Sequence, residues 1–203
     1  MPPNPITKRR PILQAAMAVF LRSGYGGASM EAIAETAAVS KATLYNQFGG
    51  KRALFEAIVR SGCERLLESV EQIAGGEVEP AIGLPAIGRA YVELHYASQT
   101  LDLFRLVIAE RQSFPELADL VFQSCQEPVR RRLANYLRWL DQRELLRVTD
   151  PEAAAQQFLG MLAGETHMRC VLGLRGGPTR GETEALIGAA AALFCAGYAA
   201  SDS

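Results

Sequence analysis

The sequence is 203 residues long and 49% hydrophobic, so the chain can bury a substantial core and is not a disordered protein. Its apolar runs are shorter than the roughly 20 residues that cross a bilayer. The basic residues near the N-terminus are not followed by the apolar segment of a secretory signal. We therefore expect a cytoplasmic protein with no membrane partner.

The formal net charge is −1, but the charge is unevenly distributed along the chain. Residues 1–55 contain seven basic and two acidic residues, a net charge of +5. The rest of the chain contains 14 basic and 20 acidic residues, a net charge of −6. This division is typical of a polyanion-binding segment attached to a body that does not touch the polyanion. Solvated charges on helix faces would explain either half alone, but explain the division less well.

The first predicted elements are three helices, with a tight turn between the second and the third. The first helix covers about residues 8–23. Pro11 should lie within its first turn, because deeper in a helix it would remove a backbone hydrogen bond. Residues 29–51 then follow the pattern of a helix-turn-helix, with Ser29 and Ser40 placed to cap its two helices. The second of these fits the major groove of DNA. Its outer face is formed by Lys41, Ala42, Tyr45 and Asn46.

The rest of the chain is also predicted to be helical, which gives an all-α fold with about nine helices. A break at residues 75–85, with three glycines and two prolines, separates a long fourth helix from the later ones. Pro128 should kink or split the seventh helix near Gln126, and Asp150 should cap the eighth. The predicted ranges of the later helices are 51–73, 86–98, 100–112, 115–144, 151–172, and from Thr179 or Thr183 to 199.

Several motifs together resemble a known family. They are Ala15-Ala16-x-x-x-Phe20, then Gly24-Tyr25, then SMEAIAETAAVSKATLYNQFGGK at residues 29–51. This stretch resembles the DNA-binding domain of the TetR family of bacterial transcriptional regulators. FRLVIAE at residues 104–110 and FPEL at 114–117 resemble the AefR-like subset of that family. The resemblance implies a DNA-binding domain over residues 1–55, joined through the long fourth helix to an effector-binding and dimerisation domain over residues 56–203.

The resemblance also implies that the second helix of the motif lies in the major groove of a double-stranded operator. There Asn46 could make paired hydrogen bonds to adenine, and Ala42 could pack on a thymine methyl group. In the family, the positions of Thr43, Tyr45 and Lys51 commonly hold phosphates. Lys51 also begins a helix, whose free N–H groups attract an anion. The predicted DNA-binding residues are Ser29, Ser40, Lys41, Ala42, Thr43, Tyr45, Asn46 and Lys51.

The N-terminal domain has two departures from the family pattern. Ala38 stands where the turn usually carries glycine, and it costs roughly 1 kcal/mol if that position needs a positive φ. Gly49 and Gly50 loosen the start of the fourth helix. Outside the pattern, the cluster Lys8-Arg9-Arg10 either contacts the DNA backbone or minor groove, or is a solvated tail.

The last two predicted helices are candidates for a dimer interface. A single helix-turn-helix offers too little surface for operator-level specificity, so two copies are needed. These helices carry a largely small-residue surface, and a pair from each subunit could form a four-helix bundle about a two-fold axis. Alternatively, this face packs only within its own subunit. The predicted interface residues are Phe158, Leu162, Glu165, Ala185, Gly188, Ala189, Ala192 and Leu193.

In the family, the middle helices enclose a pocket for a small-molecule effector. Apolar and aromatic walls with a few polar groups suit an apolar or aromatic effector, although any one such residue is more often ordinary core. Effector binding would pivot the fourth helix near Gly75 and Gly76 and move the two heads out of register with DNA. The predicted effector-binding residues are Tyr91, His95, Tyr96, Phe104, Phe122, Phe158, Met161 and His167.

The main alternatives are an enzyme and a protein-interaction module that does not bind DNA. Glu93-x-His95 and Glu165-x-His167 place their side chains about 200° apart on a helix, too divergent to share a metal ion. No phosphate loop, nucleophile elbow or zinc spacing is present, so we expect no catalysis, cofactor or metal. The set Lys41, Thr43, Tyr45 and Lys51 argues against loss of DNA binding.

Four cysteines are widely separated and form no CxxC pair. They are expected to be small buried hydrophobes or free thiols, with a redox-sensing pair as the alternative. They are Cys63, Cys125, Cys170 and Cys195.

Overall fold

The computed structural model describes residues 5–199, with side chains from residue 9 onward. The helices are α1 (Pro5–Gly27), α2 (Met30–Thr36), α3 (Lys41–Phe48), α4 (Lys51–Gly75), α5 (Pro80–His95), α6 (Ser98–Glu110), α7 (Glu116–Val121), α8 (Glu127–Gln142), α9 (Pro151–Val171) and α10 (Arg180–Gly197). A π-helical turn, Phe122–Gln126, joins α7 directly to α8. Counting α7 to α8 as one interrupted helix, the described residues form nine helices, and the all-α prediction is confirmed.

The chain divides into two compact units. The first contains the residues up to Gly62 together with Asp102–Cys125. The second contains Cys63–Leu101 and the residues from Gln126 onward. The division differs from the boundary at residue 55 expected from sequence, chiefly because Asp102–Cys125 packs with the N-terminal helices.

The first unit is built around an aromatic cluster. The ring of Tyr25 lies 5.5 Å from those of Phe20 and Phe55, which are 5.6 Å apart. Gly24 has φ 72° and ψ 166°, so the last residues of α1 turn away from its axis. This bend brings Tyr25, which is 5% exposed, into the cluster. Pro11 lies inside α1 rather than in its first turn, because the helix begins earlier than predicted, at Pro5.

The second unit packs α5, α8, α9 and α10 against one another. Gly88 allows the close approach of α5 to α10, because a Cβ at this position would lie 3.3 Å from the Ile187 side chain. On the same pair of helices, the Arg89 guanidinium donates two hydrogen bonds to the Glu184 carboxylate, at 3.1 and 2.7 Å. Both contacts, one apolar and one polar, join α5 to α10.

Most helix ends in the second unit lie where local chemistry predicts. Asp150 caps α9 by accepting hydrogen bonds from two backbone N–H groups, and Thr179 begins α10 as part of a capping box. The split near Gln126 is confirmed, with Pro128 in the first turn of α8. The predicted start of the fifth helix is wrong, since α5 begins at Pro80 and contains Pro85.

The cysteines fall into two classes. Cys63 and Cys125 are each disulfide-bonded, so the expectation of buried hydrophobes or free thiols is wrong for these two. Cys170 and Cys195 are present as thiols, and burial raises the pKa of Cys195. No helix among the described residues combines the length and apolar character that a membrane span requires.

Candidate DNA-binding surface and effector site

Two serines fix where the helices of the helix-turn-helix begin. Ser29 Oγ accepts a hydrogen bond from the Ala32 N–H at 3.1 Å. Ser40 Oγ accepts one from the Thr43 N–H at 3.0 Å. Both serines are therefore N-caps, as predicted. Between the two helices Ala38 has a φ of 52°, the left-handed conformation in which alanine is strained.

The two faces of α3 are clearly different. Leu44 is 0% and Phe48 is 8% exposed, so this face anchors the helix to the first unit. Thr43 is half-buried, at the border between the faces. The opposite face is exposed and presents hydrogen-bonding and apolar groups at the spacing of one helical surface. Its exposed residues are Lys41, Ala42, Tyr45 and Asn46.

An exposed ion pair orients one side chain of this surface. The Lys41 ammonium is hydrogen-bonded to the Glu31 carboxylate on α2 and lies 5.7 Å from the centre of the Tyr45 ring. This hydrogen bond raises the pKa of Lys41 and lowers the pKa of Glu31. Because the pair is exposed, it is weak, and a DNA phosphate can compete with Glu31 for the ammonium.

Lys51 lies differently from the phosphate contact that the resemblance implies. Its Nζ donates hydrogen bonds to the backbone carbonyls of Tyr25 at 2.8 Å, Ala28 at 3.1 Å and Gly26 at 3.4 Å. It also lies 4.6 Å from the centre of the Tyr25 ring. The ammonium therefore faces the turn between α1 and α2, here meaning residues 24–28, which begin at the kink of α1 at Gly24. In this arrangement Lys51 orders the turn that precedes the helix-turn-helix.

The basic cluster Lys8-Arg9-Arg10 lies within α1, and the side chain of Lys8 is outside the described residues. Arg9 and Arg10 are both exposed. The Arg9 guanidinium lies 5.4 Å above the ring of Phe48, the last residue of α3. The positive charge of Arg9 is therefore held at the C-terminal end of the candidate DNA-binding helix.

In the second unit, four of the predicted effector residues form one cluster of rings. Tyr91 stacks on His95 at 4.8 Å between ring centres. His95 lies 3.8 Å from His167, and Tyr96 meets the two histidines edge-on at 5.8 and 5.7 Å. Residues from α5 and α9 are thus brought together, although the sequence separates them by about 70 positions.

A helix break supports this cluster. Gly164 has φ 48° and ψ −157° inside α9. The Tyr96 hydroxyl donates to the carbonyls just before the break, Leu162 at 3.0 Å and Ala163 at 2.6 Å. A break interrupts the regular helical hydrogen bonds, and a side-chain donor can replace them. Tyr96 therefore joins the end of α5 to the middle of α9.

Burial keeps the ring cluster uncharged at neutral pH. It lowers the pKa of His95 to about 3, with a further contribution from His167, and lowers the pKa of His167 as well. It also raises the pKa of Tyr96 to about 12 and the pKa of Tyr91. The cluster therefore combines neutral imidazoles with neutral phenols.

The other predicted effector residues are distributed between the two units. Phe158 is fully buried and meets Phe194 edge-on at 5.3 Å, so it has a core role in the second unit. Met161 is half-buried in the same unit. Phe104 and Phe122 belong to the first unit, and Phe122 is 59% exposed.

A shallow crevice in the second unit was not predicted from sequence. It has a volume of about 230 Å³ and contains an ion pair between Arg143 and Glu77 at 3.1 Å. The Arg143 guanidinium also lies 5.6 Å above the Trp139 ring. These charges do not suit an apolar effector. No spacing rule joins its residues, because they come from the loop after α4 and from around the end of α8. The crevice is lined by Glu77, Glu79, Trp139, Arg143 and Leu145.

The predicted dimer residues also divide by exposure. Phe158 and Leu162 are 0% exposed, so their side chains offer no surface to a partner and instead support the packing of the unit. Glu165 is exposed and pairs with Arg169 on the next turn of α9, at 2.7 Å. Leu193 is 66% exposed. The remaining predicted residues are exposed with it on α10: Ala185, Gly188, Ala189 and Ala192.

Comparisons with known proteins agree with this geometry. Residues 12–58 match the family model described as bacterial regulatory proteins, tetR family. Residues 83–200 match the model described as AefR-like transcriptional repressor, C-terminal domain. The chain is also similar to YvkB of Bacillus subtilis, an uncharacterised helix-turn-helix transcriptional regulator. The two are 26% identical over 172 residues, which cover 85% of this chain and 87% of YvkB.

Solved structures show the same similarity over the whole length. A TetR-family regulator from Mesorhizobium loti matches with 29% identity and a TM-score of 0.80, covering 97% of this chain and 99% of that one. The flavonoid-responsive regulator FrrA matches with 34% identity and a TM-score of 0.74, covering 94% and 96%. FadR from Bacillus subtilis, in complex with stearoyl-CoA, is 20% identical with a TM-score of 0.71 and shares the fold.

The two family matches together cover most of the chain, and the first includes the capped, two-faced α3. Members of this family are DNA-binding regulators and not enzymes. This chain belongs to the TetR family of bacterial transcriptional regulators and carries an AefR-like C-terminal domain.

Proposed function

We propose that this protein is a homodimeric repressor that binds a palindromic operator and releases it when a small aromatic effector binds. The observation that carries the proposal is the exposed face of α3. Its buried opposite face and its Ser40 cap hold the helix in place, while Tyr45 and Asn46 project from it. The excess of basic residues in the first 55 positions attracts the DNA backbone.

In this proposal Asn46 reads base edges, and Lys41 and Tyr45 bind flanking phosphates. An exposed amide can make paired hydrogen bonds to adenine in the major groove. Ser29, Ser40 and Thr43 contribute through the helix starts that they cap or adjoin, where N–H groups attract phosphate. Lys51 contributes indirectly, by ordering the turn before α2, because its ammonium is bound to backbone carbonyls.

Two copies are needed because one α3 covers only a half-site. The exposed stripe of α10, centred on Ala189 and Leu193, supports an isologous interface with the same stripe of a second subunit. Its small residues permit close helix approach, and Leu193 supplies apolar area. Occupancy of the operator by such a dimer is sufficient for repression, which matches the description of the C-terminal family model.

The proposed effector is a planar, neutral aromatic compound. The ring cluster of Tyr91, His95, Tyr96 and His167 is uncharged at neutral pH, which favours a neutral ligand over an ion, and its aromatic rings favour an aromatic one. FrrA, which is 34% identical over nearly the whole chain, is described as flavonoid-responsive. A phenolic ring system of that class has the same combination of flat apolar faces and polar edges.

Selection of bound sequences from a random duplex pool tests the DNA-binding proposal. We expect a two-fold symmetric site whose half-sites are spaced by whole helical turns. Asn46→Ala should relax the preference at one or two base pairs by about 1–3 kcal/mol. Lys41→Ala is the matched control on the same face. It should weaken binding to the operator and to random duplex equally, and it should reduce the slope of log affinity against log salt concentration by about one. An asymmetric site, or an Asn46→Ala selection identical to wild type, would contradict this assignment.

Operator affinity with and without a saturating flavonoid tests the effector proposal. Release requires that the effector bind the operator-free conformation more tightly than the operator-bound one. We expect at least about a tenfold loss of operator affinity, the range typical of allosteric coupling. Equal affinities would exclude that compound as an inducer. In Tyr91→Ala the flavonoid should reduce operator affinity less than in wild type, while operator affinity without the flavonoid stays unchanged. That result would identify the ring cluster as the flavonoid-binding site.

A further inference from the structure

The corner between α6 and α7 packs against the turn between α1 and α2, inside the first unit. Glu110, the last residue of α6, accepts a hydrogen bond from the Gly26 N–H at 3.3 Å through its Oε1. The same oxygen lies 2.5 Å from the place where a Cβ at Gly24 would be. Gly24 also has a φ of 72°, so only glycine accommodates both the turn and the carboxylate.

Phe114 completes the contact. Its ring meets Tyr25 edge-on, 5.0 Å between ring centres, and its Cε2 lies 3.1 Å from the place of a Cβ at Gly26. The Phe114 N–H donates to the Glu110 carbonyl at 2.8 Å, so the two residues of the corner are held together. The ring thus covers the turn so closely that a Cβ on Gly26 would be tighter than an ordinary contact, and the ring or the turn would have to shift by a few tenths of an ångström.

The turn is held from its other side by Lys51, at the start of α4. Lys51 donates to the carbonyls of Tyr25 and Gly26, while Glu110 accepts from the N–H of Gly26. The ammonium lies 4.6 Å from the Tyr25 ring centre and 5.9 Å from that of Phe114. Both polar sides of the turn are therefore bound. Ser29, which caps the first helix of the helix-turn-helix, follows three residues after Gly26.

We propose that Glu110 and Phe114 are positioning residues for DNA binding, although they lie far in sequence from the DNA-binding domain. Their contacts described above are with the turn and with Lys51, not with α3. They fix the turn that sets where α2 begins, and α2 in turn packs on α3. A displaced turn would move the outer face of α3 relative to the groove. The proposal rests on the DNA binding described above and adds two residues from the AefR-like motif to the DNA-binding machinery.

A double-mutant cycle tests the Phe114 contact in the full-length protein, with a selected operator duplex and a random duplex as probes. Gly26→Ala should weaken operator binding about tenfold, since the ring or the turn must shift. In a Phe114→Ala background the same change should have no further effect, because the clash is gone. Gly27→Ala is the matched control, since its Cβ would meet Ser23 at an ordinary 3.8 Å. The control should bind like wild type.

Substitutions of Glu110 provide a second, independent test. Glu110→Ala should lower the ratio of operator to random-duplex affinity about tenfold, the scale of one charged hydrogen bond. Glu110→Gln keeps an acceptor oxygen and should restore most of that ratio. Glu68→Ala, an exposed position on α4, removes the same charge and should leave the ratio unchanged. A mere loss of folded protein would lower both affinities together and leave the ratio unchanged.

The outcomes separate this proposal from the proposed function. If the wild-type protein finds no operator, the proposed function fails. Suppose instead that the wild-type protein binds its operator. The positioning role is then overturned if Gly26→Ala lowers operator affinity equally with and without the Phe114 ring, and if Glu110→Ala keeps the wild-type ratio of operator to random-duplex affinity. If Phe114→Ala does not fold, as judged by circular dichroism, the Glu110 arm alone decides.

Discussion

At the residue scale, His95 shows how burial determines a charge state. The side chain is 7% exposed, stacks on Tyr91 and meets His167 at a tilt of 33°. Burial removes the water that would solvate a charged imidazole, so the pKa of His95 falls to about 3. In the unfolded chain the same imidazole titrates near its ordinary value of about 6.5. Below about pH 6.5 the unfolded chain binds a proton at His95 that the folded chain does not bind. The free energy of unfolding therefore decreases as the pH is lowered from about 6.5 to about 3.

This linkage predicts a measurable slope. Between pH 7 and pH 5, His95 should contribute about 2 kcal/mol of lost unfolding free energy. Chemical denaturation at the two pH values should therefore show a smaller loss for His95→Phe than for wild type. Tyr91→Phe is the matched control, since it alters the same cluster without removing a group that titrates in this range. Parallel losses in wild type and His95→Phe would contradict the buried, neutral assignment.

Lys51 shows what sequence reasoning could and could not predict about the site. The family pattern predicted that Lys51 contacts a DNA phosphate, and the helical pattern predicted that Lys51 begins α4. The structure does begin α4 at Lys51. The pattern could not predict that its ammonium is bound to the carbonyls of residues 25–28. That contact depends on the bend at Gly24 and on Phe114, about 60 residues away. By contrast, the roles of Ser29 and Ser40 are local and could be predicted from three or four neighbouring residues.

At the element scale, Gly49 ends α3 in a left-handed conformation. Its φ is 78°, and its N–H donates to the Tyr45 carbonyl at 2.7 Å. Nothing lies within 4 Å of a Cβ at this position, so a substitution there acts on the backbone alone. The sequence had suggested only that Gly49 loosens the start of α4. The structure gives it a definite role as the C-cap of the helix proposed to read DNA.

Gly49→Ala should therefore lower the free energy of unfolding by about 1 kcal/mol. Gly62→Ala is a control of opposite sign, because Gly62 lies inside α4 with space for a Cβ. Alanine there should raise stability by up to about 1 kcal/mol. Urea denaturation measures both variants. Equal shifts of the two midpoints would mean that the left-handed cap does not control the stability of α3.

The wrong start predicted for the fifth helix has a long-range cause. The segment 75–85 contains two prolines, and either could begin a helix. The structure begins α5 at Pro80, where the Tyr136 hydroxyl donates to the Val78 carbonyl at 2.8 Å. A Cβ on Gly83 would collide with the same tyrosine. A partner more than 50 residues away therefore selects between two locally acceptable starts, which no local pattern can predict.

At the scale of the whole molecule, the two units do not follow the linear order of the chain. The division of charge predicted a DNA-binding N-terminal part, and the comparisons agree. It could not predict that Asp102–Cys125 joins that part, because the segment lies in the acidic body of the sequence. Its Glu110 and Phe114 are recognised as belonging there only through their contacts with Gly26 and Tyr25.

The dimer proposal leads to the last prediction. Leu193 is 66% exposed on α10, at the centre of a stripe of small residues. In an isologous interface near a two-fold axis, Leu193→Glu would bury two carboxylates close together, one from each subunit. An unpaired buried charge is costly, so we expect the dimer dissociation constant to rise at least about 100-fold. Operator binding should fall with it, because single heads bind only half-sites.

Ile82→Glu is the matched control, since Ile82 on α5 is also 66% exposed and the change in side chain is similar. It should keep the wild-type mass in sedimentation equilibrium and the wild-type operator affinity. Leu193→Glu should sediment as a monomer at micromolar concentration with an unchanged helical spectrum. A Leu193→Glu protein that remains dimeric would show that the α10 stripe is not the interface. A monomeric protein that still binds the full operator like wild type would show that DNA recognition does not require the dimer.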